Sequence, residues 1–154
     1  MRAALIAAAL LLSLTPRVSA AEHVPFKGML SGTAVVTPLN PPMVAVRIDA
    51  GGTATHLGRF TLLAPHIVNQ ATLVGVGTYL ITAANGDTIT ADLAGTAAMV
   101  EPPNVLAITE TATVTGGTGR FAGATGSIQV ERVFNRATGV TTGTLDGWIS
   151  MPGS

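Results

Sequence analysis

Two charged side chains interrupt apolar alternation in the second half of the chain, and they are the first candidates for chemistry. Over residues 106–114 every second residue is apolar or small except Glu110, and over residues 128–134 the same alternation contains Arg132. Because successive side chains of a strand point to opposite faces, both charges are predicted to lie on the apolar face. An unpaired buried charge is very costly, so Glu110 and Arg132 are predicted to pair.

This predicted pair is open to more than one interpretation. It could be a structural ion pair, or a bulge could turn one charge outward. It could also be a polar anchor inside a cavity, or the acid–base or charge-stabilising groups of an enzyme. Glu110 and Arg132 are therefore ligand-binding candidates, and no residue is assigned a catalytic role.

Three other side chains are candidates for binding a ligand. Tyr79 and Trp148 are the only residues of their kinds, and each could line a cavity or belong to an ordinary core. The direction of Trp148 is open, because the face that it shares with Asp146 is of mixed polarity. His56 is predicted to form hydrogen bonds in the core or at a rim.

Metal binding is not predicted. His56 and His66 lie ten positions apart with no evident third ligand, whereas catalytic metal sites usually have three protein ligands. No cofactor is predicted either.

The elements that must position these residues all have the pattern of strands. Sustained helical periodicity is absent from the sequence, and turn signals separate the strand patterns at nearly even spacing, which is typical of an all-β barrel or sandwich. Closure into an eight-stranded barrel would remove exposed edges and leave an interior that is packed or holds one ligand. The predicted strands are 26–37, 43–50, 53–63, 71–83, 87–98, 106–115, 127–134 and 140–150.

Local signals set the predicted strand ends. Gly51 and Gly52 are expected to turn or bulge the second strand, and Pro65 is expected to end the third because proline lacks the backbone donor. Asn85-Gly86 between two strand patterns predicts a tight hairpin of type I′.

A glycine-rich stretch, residues 116–127, joins the sixth and seventh predicted strands. Its central Phe121 is expected to plug one end of the sheet or barrel, with Arg120 at the rim beside open backbone carbonyls. The stretch contains no lysine and is followed by a strand pattern, so it lacks what phosphate-binding glycine loops require. The residues of this structural motif are Gly116, Gly117, Gly119, Arg120, Phe121 and Gly126.

The stretch GGTGRFAGATG resembles the GGTGxFxxAxG signature of the dirigent and allene oxide cyclase-like barrel superfamily. It is most similar to bacterial secreted members, as is the segment Thr-His-Leu-Gly at 55–58. The resemblance implies a single eight-stranded antiparallel barrel of calycin type. It implies no catalytic residues, because the plant cyclase has a cysteine in its site and this chain has none.

The N-terminus has the pattern of an export signal. Residues 1–20 combine Arg2, an apolar run and the small-residue site Val18-Ser19-Ala20, so residues 21–154 are the expected mature barrel domain, secreted or periplasmic. Without cysteines, disulfides are excluded. Loss of Arg2 and Arg17 would leave six basic against eight acidic residues, a balance unsuited to nucleic acid. The mature chain has no second apolar segment long enough to span a membrane.

These observations favour an exported barrel that binds a small apolar molecule in its lumen without catalysis. The alternatives are an isomerase or cyclase acting on a hydrophobic substrate, and a structural protein assembled as a dirigent-like homo-oligomer.

Overall fold

Eight antiparallel strands, each hydrogen-bonded to the next in the chain, close into a barrel when the last strand pairs with the first. The computed structural model describes residues 22–152, so the predicted signal peptide lies outside the described residues. The all-β, eight-stranded antiparallel barrel predicted from the sequence is confirmed. The strands are β1 (His23–Pro38), β2 (Met43–Ala54), β3 (Gly58–Asn69), β4 (Val74–Ala83), β5 (Thr88–Val100), β6 (Val105–Gly117), β7 (Thr125–Asn135) and β8 (Val140–Ser150).

The core lies inside the barrel and follows the alternation of the sequence. Every strand has buried inward-facing side chains, although Val36 and Met99 near the open end remain exposed, and threonines are frequent on the outer face. The largest side chains that are almost wholly buried include Phe26, Ile48, Ile81, Ile128 and Ile149. Burial of their apolar surface is the main stabilising contribution that this cysteine-free chain can make.

One end of the barrel is closed by the glycine-rich stretch. A 3₁₀ turn, Gly119–Phe121, places the fully buried Phe121 in the core, which confirms the predicted plug. Arg120 lies exposed at the rim, as predicted, but its contacts are with an aromatic ring and a carboxylate. Its guanidinium lies over the Phe121 ring, 4.9 Å from the centroid, and its Nε is 3.6 Å from Oδ2 of Asp87, because a carboxylate is available from the neighbouring hairpin.

That hairpin joins β4 to β5, as Asn85-Gly86 predicts, but its type differs. Gly86 has φ +91°, whereas Asn85 is not among the described residues with positive φ. The Ala83 amide donates to the Asp87 carbonyl at 2.8 Å, so three residues form the loop and glycine occupies its left-handed position. Type I′ would need positive φ at two central residues.

The third predicted strand is wrong at both ends. Residues 55–57 form a turn, and β3 continues through Pro65 to Asn69. Pro65 is tolerated because it faces outward and the ladder to β4 has no pairs at residues 64 and 65. Gly51 and Gly52 do not turn the chain. They continue β2. Glycine is needed at position 52 because β1 approaches so closely that a side chain there would overlap the Met29 carbonyl.

The opposite end of the barrel is open. Four loops surround it, namely those between β1 and β2, β3 and β4, β5 and β6, and β7 and β8. No helix within residues 22–152 is long and apolar enough to cross a membrane.

Candidate functional site

A cavity of about 310 Å³ enters the barrel from its open end. Most of its wall is aliphatic, and its deepest lining residues include His66, Glu110 and Arg132. The exposed Arg136 lies at the mouth. The aliphatic lining residues include Val36, Val44, Val46, Val68, Leu106 and Ile108.

Glu110 and Arg132 form a two-pronged ion pair at the inner end of this cavity. Arg132 donates from Nη2 to Oε1 of Glu110 at 2.7 Å and from Nε to Oε2 at 2.9 Å. Each side chain is only 3% exposed. The pairing predicted from strand parity is confirmed, and its geometry is the planar match between guanidinium and carboxylate that makes such pairs strong.

Two hydroxyl groups complete the network. Tyr79 donates from its hydroxyl to Oε2 of Glu110 at 2.5 Å. Arg132 donates from Nη1 to Oγ1 of Thr141 at 3.3 Å, and Thr141 in turn donates to the Val133 carbonyl at 2.9 Å. Every buried side-chain nitrogen and oxygen among residues 22–152 has a hydrogen-bond partner.

These contacts hold each group in one protonation state. Burial by itself would raise the pKa of Glu110, but the hydrogen bonds and positive charge of Arg132 outweigh it and hold that pKa below its ordinary value. Burial opposes the charge of Arg132 as well, yet Glu110 keeps the pKa of Arg132 raised. Burial, and then the negative charge of Glu110, strongly raise the pKa of Tyr79. At neutral pH the site is therefore carboxylate, guanidinium and neutral phenol.

His66 is the fourth polar residue of the cavity and is 6% exposed. Its Nδ1 lies 3.1 Å from the carbonyl oxygen of Ala64, which can only accept, so Nδ1 carries the proton in the neutral ring. Burial lowers the pKa of His66, with a smaller opposing effect from this hydrogen bond. The imidazole is consequently neutral at pH 7, and Nε2 is a hydrogen-bond acceptor.

Sequence reasoning missed His66 as a site residue because Pro65 was expected to end the strand. Its parity with Leu62 and Ala64, both buried and inward-facing, is a signal that could have identified it.

Each charged or imidazole side chain of the lumen lies opposite a glycine on a neighbouring strand. A side chain at any of these glycines would overlap the polar residue beside it. Glycine thus makes room for long polar groups inside a narrow barrel. The pairs are His66 with Gly77, Glu110 with Gly95, and Arg132 with Gly143.

Two ligand-binding candidates, His56 and Trp148, lie away from this cavity. His56 is exposed in the turn between β2 and β3 at the closed end, where Nε2 donates to the Pro25 carbonyl at 3.1 Å. Trp148 lies on the outer face and stacks on the His23 ring, with centroids 4.1 Å apart. Asp146 shares that outer face and pairs with Lys27. Tyr79, in contrast, points inward and joins the site.

Within residues 22–152, no group of three or more histidine, aspartate or glutamate side chains is arranged to hold a metal ion.

No protein-family model matches the sequence, and no curated protein matches it. Among solved structures, the pterocarpan synthase dirigent protein GePTS1 is similar with a TM-score of 0.60 and 16% identity, over 94% of this chain and 99% of that one. The fold is that of the dirigent proteins. A second pterocarpan synthase dirigent protein, PsPTS1, has a TM-score of 0.60 and 14% identity, over 86% of this chain and 97% of its own. At these identities the comparison defines the dirigent fold of the chain and no activity.

Proposed function

We propose that this dirigent-like barrel is an exported protein that binds a small, mainly apolar molecule in its lumen. The observation that carries the proposal is the cavity itself. It opens at one end, has mostly aliphatic walls and ends at a small polar cluster. Its volume lies at the lower end of the range for small-molecule sites, which typically combine apolar walls with a few placed polar groups.

The protonation states of the cluster favour binding over acid–base catalysis. A general acid or base works best with a pKa near the operating pH. The pKa of Glu110 is lowered and those of Tyr79 and Arg132 are raised, so all three are moved away from neutrality. The cluster therefore suits an anchor whose charges are fixed.

A reaction guided inside the lumen is the second candidate function. The two solved structures described above are named pterocarpan synthase dirigent proteins, and the neutral imidazole of His66 lines the same cavity as the ion pair. Conversion of a lumen-bound molecule by the wild type, lost in His66→Gln with binding retained, would favour this candidate over simple binding.

Paired substitutions on one strand test lumen binding. Ala97 lines the cavity, whereas its neighbour Ala98 is exposed on the outer face. In Ala97→Phe the ring would occupy the cavity, while Ala98→Phe adds the same ring outside. Binding is measured by the fluorescence of the neutral apolar probe N-phenyl-1-naphthylamine, with circular dichroism to confirm folding.

We expect the wild type and Ala98→Phe to bind the probe alike, and Ala97→Phe to bind it at least about tenfold more weakly, a loss equal to about 1.4 kcal/mol. Equal binding by all three folded proteins would place the probe on the outside and overturn the proposal. If the expected difference is found, native mass spectrometry of protein purified from its own host would identify the natural occupant.

A further inference from the structure

Arg132 retains hydrogen-bond donors that the protein does not use. Guanidinium has five N–H groups, and three are donated, two to Glu110 and one to Thr141. The Tyr79 oxygen also interacts with the Arg132 guanidinium as an acceptor, which leaves at least one N–H group that a ligand could take. Glu110 already accepts three hydrogen bonds, so its charge is largely satisfied within the protein.

His66 offers the complementary acceptor. Its Nδ1 side faces the Ala64 carbonyl, toward the closed end of the barrel. The opposite edge of the ring, Cδ2 and the adjoining Nε2, faces Gly75 near the open end. Even a Cβ added at Gly75 would lie 3.6 Å from Cδ2, so the backbone does not crowd this edge. Nε2 has no recorded partner, although every buried side-chain nitrogen and oxygen of residues 22–152 has one. Nε2 therefore remains in contact with the cavity space.

The charges at the inner end cancel. Glu110 and Arg132 neutralise each other, and His66 is uncharged. A carboxylate ligand would compete with Glu110 for Arg132, and an ammonium ligand would compete with Arg132 for Glu110. Either would also lose its hydration in a mostly aliphatic cavity, which is costly for a charged group.

We infer that the lumen takes an uncharged apolar molecule carrying a hydroxyl group, which donates to Nε2 of His66 and can accept from Arg132. His66 is thus a specificity-determining residue, and the inference rests on the proposed lumen binding. An ether in place of the hydroxyl would cover Nε2 without supplying a donor, and leaving a polar atom buried and unpaired is what rejects an otherwise similar ligand.

Three probes with one ring system test this inference by calorimetry at neutral pH: 2-naphthol, 2-methoxynaphthalene and 2-naphthoate. We expect the wild type to bind 2-naphthol about 2- to 10-fold more tightly than the ether, the factor that one net hydrogen bond supplies. The naphthoate should bind most weakly.

Three variants assign the preference to His66. His66→Leu should bind both neutral probes with similar affinity. His66→Gln, whose carboxamide oxygen can accept, should keep part of the preference. His56→Asn removes an exposed histidine at the other end of the barrel and should behave as the wild type.

The possible results separate the inference from the proposed function. If no probe binds, lumen binding itself is wrong. If the ether binds as tightly as the naphthol, or if the naphthoate binds most tightly, the inference is overturned while lumen binding stands. Should the His66 variants fail to fold, ¹⁵N NMR of the wild type decides: addition of 2-naphthol should shift the Nε2 resonance of His66, and an unchanged resonance overturns the inference.

Discussion

Glu110 and Arg132 are diagonal neighbours across the ladder between β6 and β7. Glu110 stands opposite Val130, and Arg132 stands opposite Ile108. Diagonal positions lie about 7–8 Å apart, within reach of long side chains, and the two residues meet inside the barrel through two hydrogen bonds. A slip of one strand by a single residue would turn its charge to the outside and leave the other unpaired. The pair therefore penalises a wrong register.

Removing one partner of the pair should destabilise the fold more than replacing both partners with apolar residues. Arg132→Met leaves the carboxylate of Glu110 buried without its main partner and should cost about 3–5 kcal/mol of unfolding free energy. The double variant Glu110→Leu with Arg132→Met should be much closer to the wild type, because no buried charge remains. Denaturant midpoints at constant m-value give the double-mutant cycle.

The exposed pair Lys27–Asp146 is the control and should show little coupling. Additive effects at Glu110 and Arg132 would contradict the prediction.

Tyr79→Phe removes one hydroxyl and keeps the ring. Because that hydroxyl donates to the ionised Glu110, its loss should lower the unfolding free energy by about 1.5–3 kcal/mol. The effect should remain below that of Arg132→Met, since Arg132 still holds both carboxylate oxygens. Urea unfolding of the two variants side by side checks the order, and a Tyr79→Phe loss as large as that of Arg132→Met would refute it.

Two inward-facing glycines, Gly95 opposite Glu110 and Gly75 opposite Val68, should tolerate alanine unequally. A Cβ at Gly95 would overlap Cγ of Glu110 and lie 2.7 Å from the Thr109 carbonyl, whereas at Gly75 the nearest atom is a Val68 methyl at 3.3 Å. Overpacking of this kind costs about 1–3 kcal/mol, so Gly95→Ala should destabilise clearly and Gly75→Ala much less. Thermal melting of both variants tests this. Equal losses of stability would mean that Gly95 is not there to make room for Glu110.

Acid should weaken the barrel through His66. Its pKa in the folded protein lies below the ordinary value of 6.5, so the unfolded chain takes up the proton first. Stability is thus complete above pH 6.5 and falls as the pH drops below it. A further loss should begin near pH 4.5, where unfolded Glu110 protonates while the folded carboxylate resists.

The variant His66→Leu isolates the first of these two losses. It should flatten the decline in stability that begins as the pH falls below the ordinary histidine pKa of 6.5, while the control variant His56→Asn should retain that decline. Urea unfolding at a series of pH values gives both profiles. If the unfolding free energy of His66→Leu declines with falling pH as steeply as that of the wild type, His66 is not the cause of the decline.

Export should release a chain that begins at Ala21. The expectation depends on Arg2, the apolar run and the cleavage site Val18-Ser19-Ala20. Mass spectrometry of the intact protein from the medium or periplasm of an expressing host measures the N-terminus. Ala20→Arg, which places a large residue at the cleavage site, should accumulate the uncleaved form. Exported protein that still begins at Met1 would refute the prediction.

The sequence by itself determined that the chain has eight strands and which faces of β6 and β7 carry Glu110 and Arg132. These features are local, because the alternation of side chains follows from the backbone of a single strand. The buried Phe121 and the hairpin at Asn85-Gly86 were predictable for the same reason, since glycines mark where the chain must turn.

Only the tertiary structure decided which residues of different strands lie next to each other. Passage of β3 through Pro65 depends on which way that residue faces and on a gap in the ladder to β4. Tyr79 reaches Glu110 across the intervening β5, where Gly95 leaves room. The outward direction of Trp148 follows from its pairing with Pro25 of β1 and Ser127 of β7. Contacts of this kind join strands that are distant in sequence, and they depend on curvature and register, which the pattern of any one strand does not contain.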